Sequence, residues 1–388
     1  MTSKPKRLAV LLTHPVQYFK PIFNRLAIDQ DIELLVFFGC NHGVIPSLDP
    51  DFGIEFAWDN NPTDGFNHCF IKQMPLVNLS KLGVGLETAW QAYKQIKAWQ
   101  PDAVLIFAYS PLFITACTLL LAANGNRLLL RADGTDRAFK RPVWKSWLKD
   151  MLLRFYYRLF SKIYPIGSDS NDHFARLGVK AKMRKQVNFA VDYDYFDKQV
   201  KYWQPKCIQS KQDLGIPDHA EVLLWVGKIT PIKAPLLLID ALAHLPKDRL
   251  DKLWLVVVGD GPLRNQMTTR INQVIPSQYY FAGFQNQSQL GRFYTIADSL
   301  IFPSIEGETW GLVVNEALQF GLRVIASDHP GSVRDLIQKD PHQIFKSGNV
   351  KDLALALNKP WKKLNPSYEN HKHLPKPEHL AIAILSTI

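Results

Sequence analysis

Short, mostly apolar runs recur along both halves of this chain, each closed by glycine, proline or a polar loop. In the first half they are Leu8–Leu12, Ile32–Phe38, Ala103–Phe107, Leu128–Leu130 and Lys162–Ile166. In the second half they are Val222–Val226, Leu253–Val258, Tyr279–Ala282, Ser299–Phe302 and Val324–Ala326. Runs of this length, without apolar/polar alternation, read as strands buried on both faces. Between them lie helical stretches. Pro21 to Ala27 starts one, and Gly85–Trp99 sets Leu86, Ala89, Tyr93 and Ile96 on one face before Pro101 stops it. Alternating strands and helices predict α/β architecture with mostly parallel sheets. A chain of 388 residues is long enough for two such domains with full cores. The Asp-, Pro-, Gly- and Asn-rich stretch from Asn41 to Gly65 predicts a long loop region.

Composition narrows the class. At 47% hydrophobic and 21% charged residues the chain reads as globular. Four scattered cysteines, with no CxxC pair, give no zinc or disulfide framework. Lys4 to Arg7 followed by Leu8–Leu12 mimics a signal peptide, but five apolar residues are too few for its core. The longest apolar run, Leu112 to Ala123, is too short to span a bilayer. A cytoplasmic protein is expected, with peripheral attachment at the inner face of the membrane left open. The net charge of +11 fits nucleic acid, anionic lipid or a phosphate-bearing substrate. No nucleic-acid motif accompanies it, so nucleic acid is not expected as a partner. The charge concentrates between Arg137 and Lys162, mixed with Trp144, Trp147, Phe155, Tyr156 and Tyr157. Two readings stand side by side: a helix on an anionic membrane surface, or a domain helix with a solvated basic face.

Chemistry concentrates in Pro303–Gly321, PSIEGETWGLVVNEALQFG. It lies between two apolar runs, so it reads as strand, loop, helix, strand. The loop and helix start then sit at the carboxyl end of a parallel sheet, where such folds bind ligands. Glu308 and Glu316 have seven residues between them. Gly311 lets the backbone pass close to a ligand. The free N–H groups of Leu312 and Val313 would point at an anion. Glu316 falls on an apolar stretch, where a carboxylate is costly unless donors reach it. A second strand ends in Gly227, Lys228 and, five positions on, Lys233, which could set two positive charges on one diphosphate. Turns Val258–Leu263 and Phe281–Phe284 close the next strands.

Together these segments resemble the retaining glycosyltransferases of family 4, which have the GT-B fold of two Rossmann-like domains facing across a cleft. The family signature is Glu, seven residues, Glu, and Gly-Arg, four residues, Lys. Here Thr309 and Trp310 replace the common Gly and Phe, and Lys228 stands at the Arg position, which keeps the charge without the fork. The resemblance implies transfer of a sugar from a nucleotide diphosphate sugar to a glycan, glycolipid or polysaccharide precursor, with retention, no metal and no other cofactor. It assigns Lys228, Lys233, Glu308 and Asp133 to catalysis. The donor would lie on Gly227, Lys228, Lys233, Gly259, Phe284, Glu308, Thr309, Trp310, Gly311, Leu312, Val313 and Glu316, with Glu308 on the sugar and Glu316 on the ribose. The acceptor would meet His14, Gln17, Tyr109 and Arg131. Gly331 and Asp335 read as structural. The implied domains are 1–196 for the acceptor, a linker at 197–217, 218–364 for the donor, and a tail and helix at 365–388 whose return to the first domain is left open. Two rivals remain: a nucleotide-sugar epimerase on the same fold, and a non-catalytic relative that binds a membrane or partner.

Overall fold

A computed structural model describes residues 4–49, 54–137, 142–337, 344–359 and 374–388. The first domain contains strands β1 (Lys6–Leu12), β2 (Ile32–Phe38), a small hairpin β3 (Ser47–Asp49) and β4 (Ile54–Phe56), then β5 (His68–Phe70), β6 (Ala103–Phe107), β7 (Leu128–Ala132) and β8 (Phe160–Pro165). Its helices are α1 (Lys20–Ala27), α2 (Leu82–Trp99), α3 (Leu112–Ala123), α4 (Val143–Tyr157) and α5 (Gly167–Arg176). The second domain brings α6 (Tyr193–Trp203), α7 (Cys207–Asp213), β9 (Glu221–Val226), α8 (Pro235–Leu242), α9 (Lys247–Leu250), β10 (Leu253–Val258) and α10 (Arg264–Val274). It continues with β11 (Tyr279–Gly283), α11 (Gln287–Ile296), β12 (Ser299–Phe302), α12 (Leu312–Gln319), β13 (Arg323–Ser327), β14 (Ile344–Phe345) and α13 (Val350–Leu357). Helix α14 (Pro377–Leu385) closes the described chain.

The architecture is two parallel six-stranded sheets flanked by helices, in the orders β5-β2-β1-β6-β7-β8 and β11-β10-β9-β12-β13-β14. Each sheet carries apolar residues on both faces and is packed on both sides, which is why the strands lack alternation. In each sheet the winding reverses beside its first strand, between β1 and β6 and between β9 and β12. A crevice opens at the carboxyl ends of strands at such a reversal. The loops it gathers are those after β1, β6, β9 and β12.

The polar stretch 197–217 is not an extended linker. Residues 193–213 are largely helical, and α6 and α7 pack against α11 of the second domain through Phe196, Val200 and Cys207. Their polar residues face solvent while one apolar stripe faces inward, a pattern short enough to be read as loop. Val187 belongs to the first domain's core and Val191 to the second's, so the chain crosses over between them. It crosses again at the end. Leu380, Ala381, Ala383 and Ile384 of α14 are buried in the first domain against α1, and the Tyr164 hydroxyl donates to Thr387 Oγ1 at 2.8 Å. Of the tail expected at 365–388 and the basic stretch 137–162, residues 365–373 and 138–141 lie outside the described residues.

Candidate active site

The loop after β9 turns at Gly227, whose φ is +144°, and its neighbour Gly259 at the end of β10 has φ +135°. A Cβ on Gly259 would stand 1.9 Å from the Gly227 carbonyl oxygen, so two backbones touch where only glycine fits. Ile229 N–H donates to the Asp260 carbonyl at 2.8 Å, which fastens one turn to the other. The loop then swings Lys233 towards the loop after β12, where its ammonium pairs with Glu308. Both side chains are largely buried, and Ser304 Oγ lies 3.4 Å from the same carboxylate oxygen. Gly311 caps α12 with φ +91° and crowds Phe302, so the first turn of α12 begins directly beyond Glu308. The N–H groups of Leu312 and Val313 have no intrahelical acceptor at that end. Lys228 and Phe284 lie half-buried at the ends of β9 and β11 on the same side of the sheet.

The first domain meets this surface at named points. Thr309 Oγ1 donates to Asp133 Oδ2 at 2.9 Å, so the residue after Glu308 is tied to the loop after β7. Ser168 N–H donates to Asp335 Oδ2 at 2.8 Å, and Asn315 Nδ2 to the Phe189 carbonyl at 3.1 Å. The structure thus brings Lys233, Glu308, Thr309 and Asp133 together.

Glu316 has the most perturbed environment. It is 1% exposed, and its two carboxylate oxygens are taken by tyrosine hydroxyls: Tyr18 at 3.0 Å and Tyr294 at 2.5 Å. Burial pushes its pKa from 4.5 up to about 7 against the pull of those two hydrogen bonds. Burial beside this carboxyl also raises both tyrosine hydroxyls well above their ordinary value. The donors that a carboxylate on an apolar helix needs are therefore protein hydroxyls, and in this arrangement a ribose could reach Glu316 only where Tyr18 gave way. Neither tyrosine stands out in the sequence. Tyr18 follows Gln17 in the loop after β1, and Tyr294 looks like any buried aromatic of an amphipathic helix.

The other expected site residues lie in different surroundings. Arg131 does not face the cleft: it is 2% exposed, and its guanidinium donates to the carbonyls of Tyr164, Pro165, Val187 and Asn188. Desolvation pushes its pKa down to about 9, partly offset by Asp133. It holds the crossover between the domains. Trp310 is equally sequestered, donating through Nε1 to Asn315 Oδ1 at 2.9 Å and packing on Phe189 and Gly167. His14 sits beside Thr13 and faces the His42 ring at 5.5 Å. Burial, then the neighbouring His42, push its pKa down to about 4. Gln17 is buried, with its Oε1 unpaired. Tyr109 is half-buried on the first domain's core, with the Lys149 ammonium 5.6 Å from its ring.

Two Rossmann-like domains, each built on a parallel six-stranded sheet, have the GT-B architecture. Solved structures agree on the fold. A glycosyltransferase from Rickettsia africae superposes with a TM-score of 0.71 at 16% identity, covering 99% of this chain and 98% of that one. Anabaena HepE, solved with UDP and glucose, gives a TM-score of 0.65 at 15% identity over 98% and 99% of the two chains. The second domain is more particular: residues 208–370 match the family described as Glycosyl transferases group 1. Among curated proteins, the sulfoquinovosyl transferase SQD2 of Arabidopsis thaliana is 26% identical over 295 residues, 74% of this chain and 55% of its own length. The lipopolysaccharide 1,2-N-acetylglucosaminetransferase of Salmonella typhimurium is 35% identical over 130 residues, 31% of this chain and 34% of its own. The chain therefore spans between a third and just over half the length of these relatives.

Proposed function

We propose that this protein transfers a sugar, with retention of configuration, from a nucleoside diphosphate sugar to a glycan or glycolipid acceptor, in the manner of family 4. The carrying observation is the Lys233–Glu308 pair beside the first turn of α12, with Asp133 brought against Thr309. A diphosphate entering between β9 and β12 would meet Lys233, Lys228 and the N–H groups of Leu312 and Val313. These positive ends stabilise the charge that develops on the leaving diphosphate, so the reading includes no metal. Glu308, released from Lys233 as the diphosphate takes that ammonium, would accept hydrogen bonds from the sugar hydroxyls.

In the transfer, the bond from C1 of the sugar to the diphosphate oxygen breaks with its electron pair going to the diphosphate. The acceptor oxygen bonds to C1 from the same face, and its proton passes to the departing phosphate oxygen. Closure of the two domains keeps water from competing. The synthesis of surface polysaccharide or glycolipid is the setting this reading favours, in keeping with relatives named a sulfoquinovosyl transferase and a lipopolysaccharide 1,2-N-acetylglucosaminetransferase.

The test is thermal stabilisation by uridine, guanosine, adenosine and cytidine diphosphates, with Lys233→Ala in parallel. A ligand present at 100 times its Kd adds about 2.7 kcal/mol to stability. One nucleotide should raise the melting temperature of the wild type and much less that of the variant. No shift with any nucleotide, in free or sugar-linked form, overturns the proposal.

A further inference from the structure

Helix α4 carries a face that the described residues do not cover. Val143, Trp144, Trp147, Leu148, Leu152 and Phe155 are each between 42% and 86% exposed. The described residues include 18 exposed large hydrophobics, and this one helix supplies six of them. At 100° per residue these six fall within one half of the helix, while Leu153, Tyr156 and Tyr157 point the other way into the core. The helix therefore has two apolar faces, one packed and one bare. Its 15 residues extend roughly 22 Å, and no helix among the described residues is long and apolar enough to cross a membrane.

The bare face has a one-signed charge. Lys145, Arg154 and Arg158 flank it, and the single acid of the helix, Asp150, is paired with Arg176. Beside the carboxyl-terminal half of α4 lies a recess of about 370 Å3, open to solvent, between Arg154, Arg158, Arg176, Lys180 and Met183. Arg176 is held by Asp136 and Asp150. Arg154, Arg158 and Lys180 are exposed and have no carboxylate partner among the described residues. A row of indole and phenyl rings next to unneutralised cations matches the layer where lipid tails meet phosphates: the rings sit at the boundary and the cations at headgroup level. A protein surface would have to supply both a large apolar patch and several acids at the same spacing.

We propose that the outward face of α4 docks on an anionic phospholipid bilayer, with its tryptophans and Phe155 in the interfacial layer and lipid phosphates in the recess of Arg154, Arg158 and Lys180. The helix lies in the plane of the surface, as its length and one-sided bare face require. This stands apart from the sugar-transfer reading, because binding to a vesicle needs no reaction.

The experiment is co-sedimentation of the full chain with vesicles of phosphatidylcholine alone and with phosphatidylglycerol added. Two variants accompany it: Trp144→Ser with Trp147→Ser, and Arg154→Ser with Arg158→Ser and Lys180→Ser. All five side chains are exposed, so circular dichroism melts should match the wild type. The wild type should bind the anionic vesicles at least ten-fold better than the neutral ones, with a blue shift of tryptophan emission. The tryptophan variant should lose binding and the blue shift. The triple variant should lose the anionic preference, by about five-fold per cation removed. Inorganic phosphate, compared with chloride at equal ionic strength, should not displace the protein. The proposal is overturned by wild-type binding to neither vesicle, by binding unchanged in both variants, or by displacement with phosphate alone, which would make the recess a site for the free ion. It is equally overturned if the tryptophan variant changes only the oligomeric state in gel filtration, which would make a second copy the occupant.

Discussion

Replacing Glu316 with Gln separates a buried, proton-holding carboxyl from an ordinary ion-paired acid. In the wild type, burial moves the carboxyl from 4.5 up to about 7, so the folded chain keeps a proton that the unfolded chain gives up between those values. A raised pKa contributes stability that is complete below pH 4.5 and is lost as pH rises through 7. The displacement corresponds to about 3 kcal/mol. Gln has the same shape and no charge at any pH. Its carbonyl can accept from one tyrosine hydroxyl while its amide donates to the other. Glu316→Gln should therefore match the wild type at pH 4.5 and melt higher at pH 8, by roughly 6–12 °C for a domain of this size. His14, held down to about 4, acts in the opposite sense: its contribution is lost as pH falls below its ordinary 6.5. It is present in both proteins and cancels in the difference. Scanning calorimetry at half-unit pH steps reads the two slopes. Equal slopes for the two proteins would refute the reasoning, because the carboxyl would then carry no extra proton in the folded state.

Other consequences are as concrete. Lys233→Ala should lower kcat for sugar transfer by about 10²–10³-fold, measured with whichever donor the nucleotide panel selects and at a temperature where the variant is fully folded. Tyr18→Phe removes a hydroxyl donated to Glu316 across the domain interface. It should weaken the closed arrangement by about 1.5–3 kcal/mol, seen as a larger radius of gyration in small-angle scattering; an unchanged radius would show that this bond does not hold the domains. Gly259→Ala must push a Cβ into the Gly227 carbonyl and should cost about 3 kcal/mol or more, read from urea unfolding. Arg131→Leu strips four backbone carbonyls of their donor and should destabilise by a similar ~3 kcal/mol, with no selective effect on KM for the acceptor.

The sheets were legible in the sequence because a strand buried on both faces leaves an uninterrupted apolar run. Val222–Val226 and Leu253–Val258 are such runs, and they are β9 and β10 almost to the residue. The loops that carry Lys233 and Glu308 could be read for the same reason: they follow β9 and β12, which are runs of this kind, and their glycines mark where backbone must pass close. What the sequence concealed depends on tertiary contact. Tyr18 and Glu316 are 298 positions apart, and nothing local in either segment announces the other. Arg131 beside Asp133 looks like a pair of cleft residues, but β7 turns the arginine inward onto carbonyls while the aspartate stays at the mouth. The polar composition of 197–217 hid α6 and α7, since a helix needs only one apolar stripe to dock.

The ties between the domains explain why donor binding and closure should be one event. Asp133 holds Thr309, Phe189 holds Asn315, and Tyr18 holds Glu316. These three second-domain partners belong to the stretch from Glu308 to Glu316, which includes the first turn of α12, while Asp335 makes a further tie outside it through Ser168. Any group that enters beside that turn must compete with or lie alongside these bonds. A ribose hydroxyl reaching Glu316 would replace the Tyr18 hydroxyl with one of its own, and a sugar held by Glu308 would draw that carboxylate from Lys233 just as the diphosphate arrives to take the lysine. Each bond broken within the site is thereby matched by one made to the donor. The closed arrangement without ligand can then be stable enough to keep Glu316 dry, yet open at small net cost when the donor supplies the same kinds of partner.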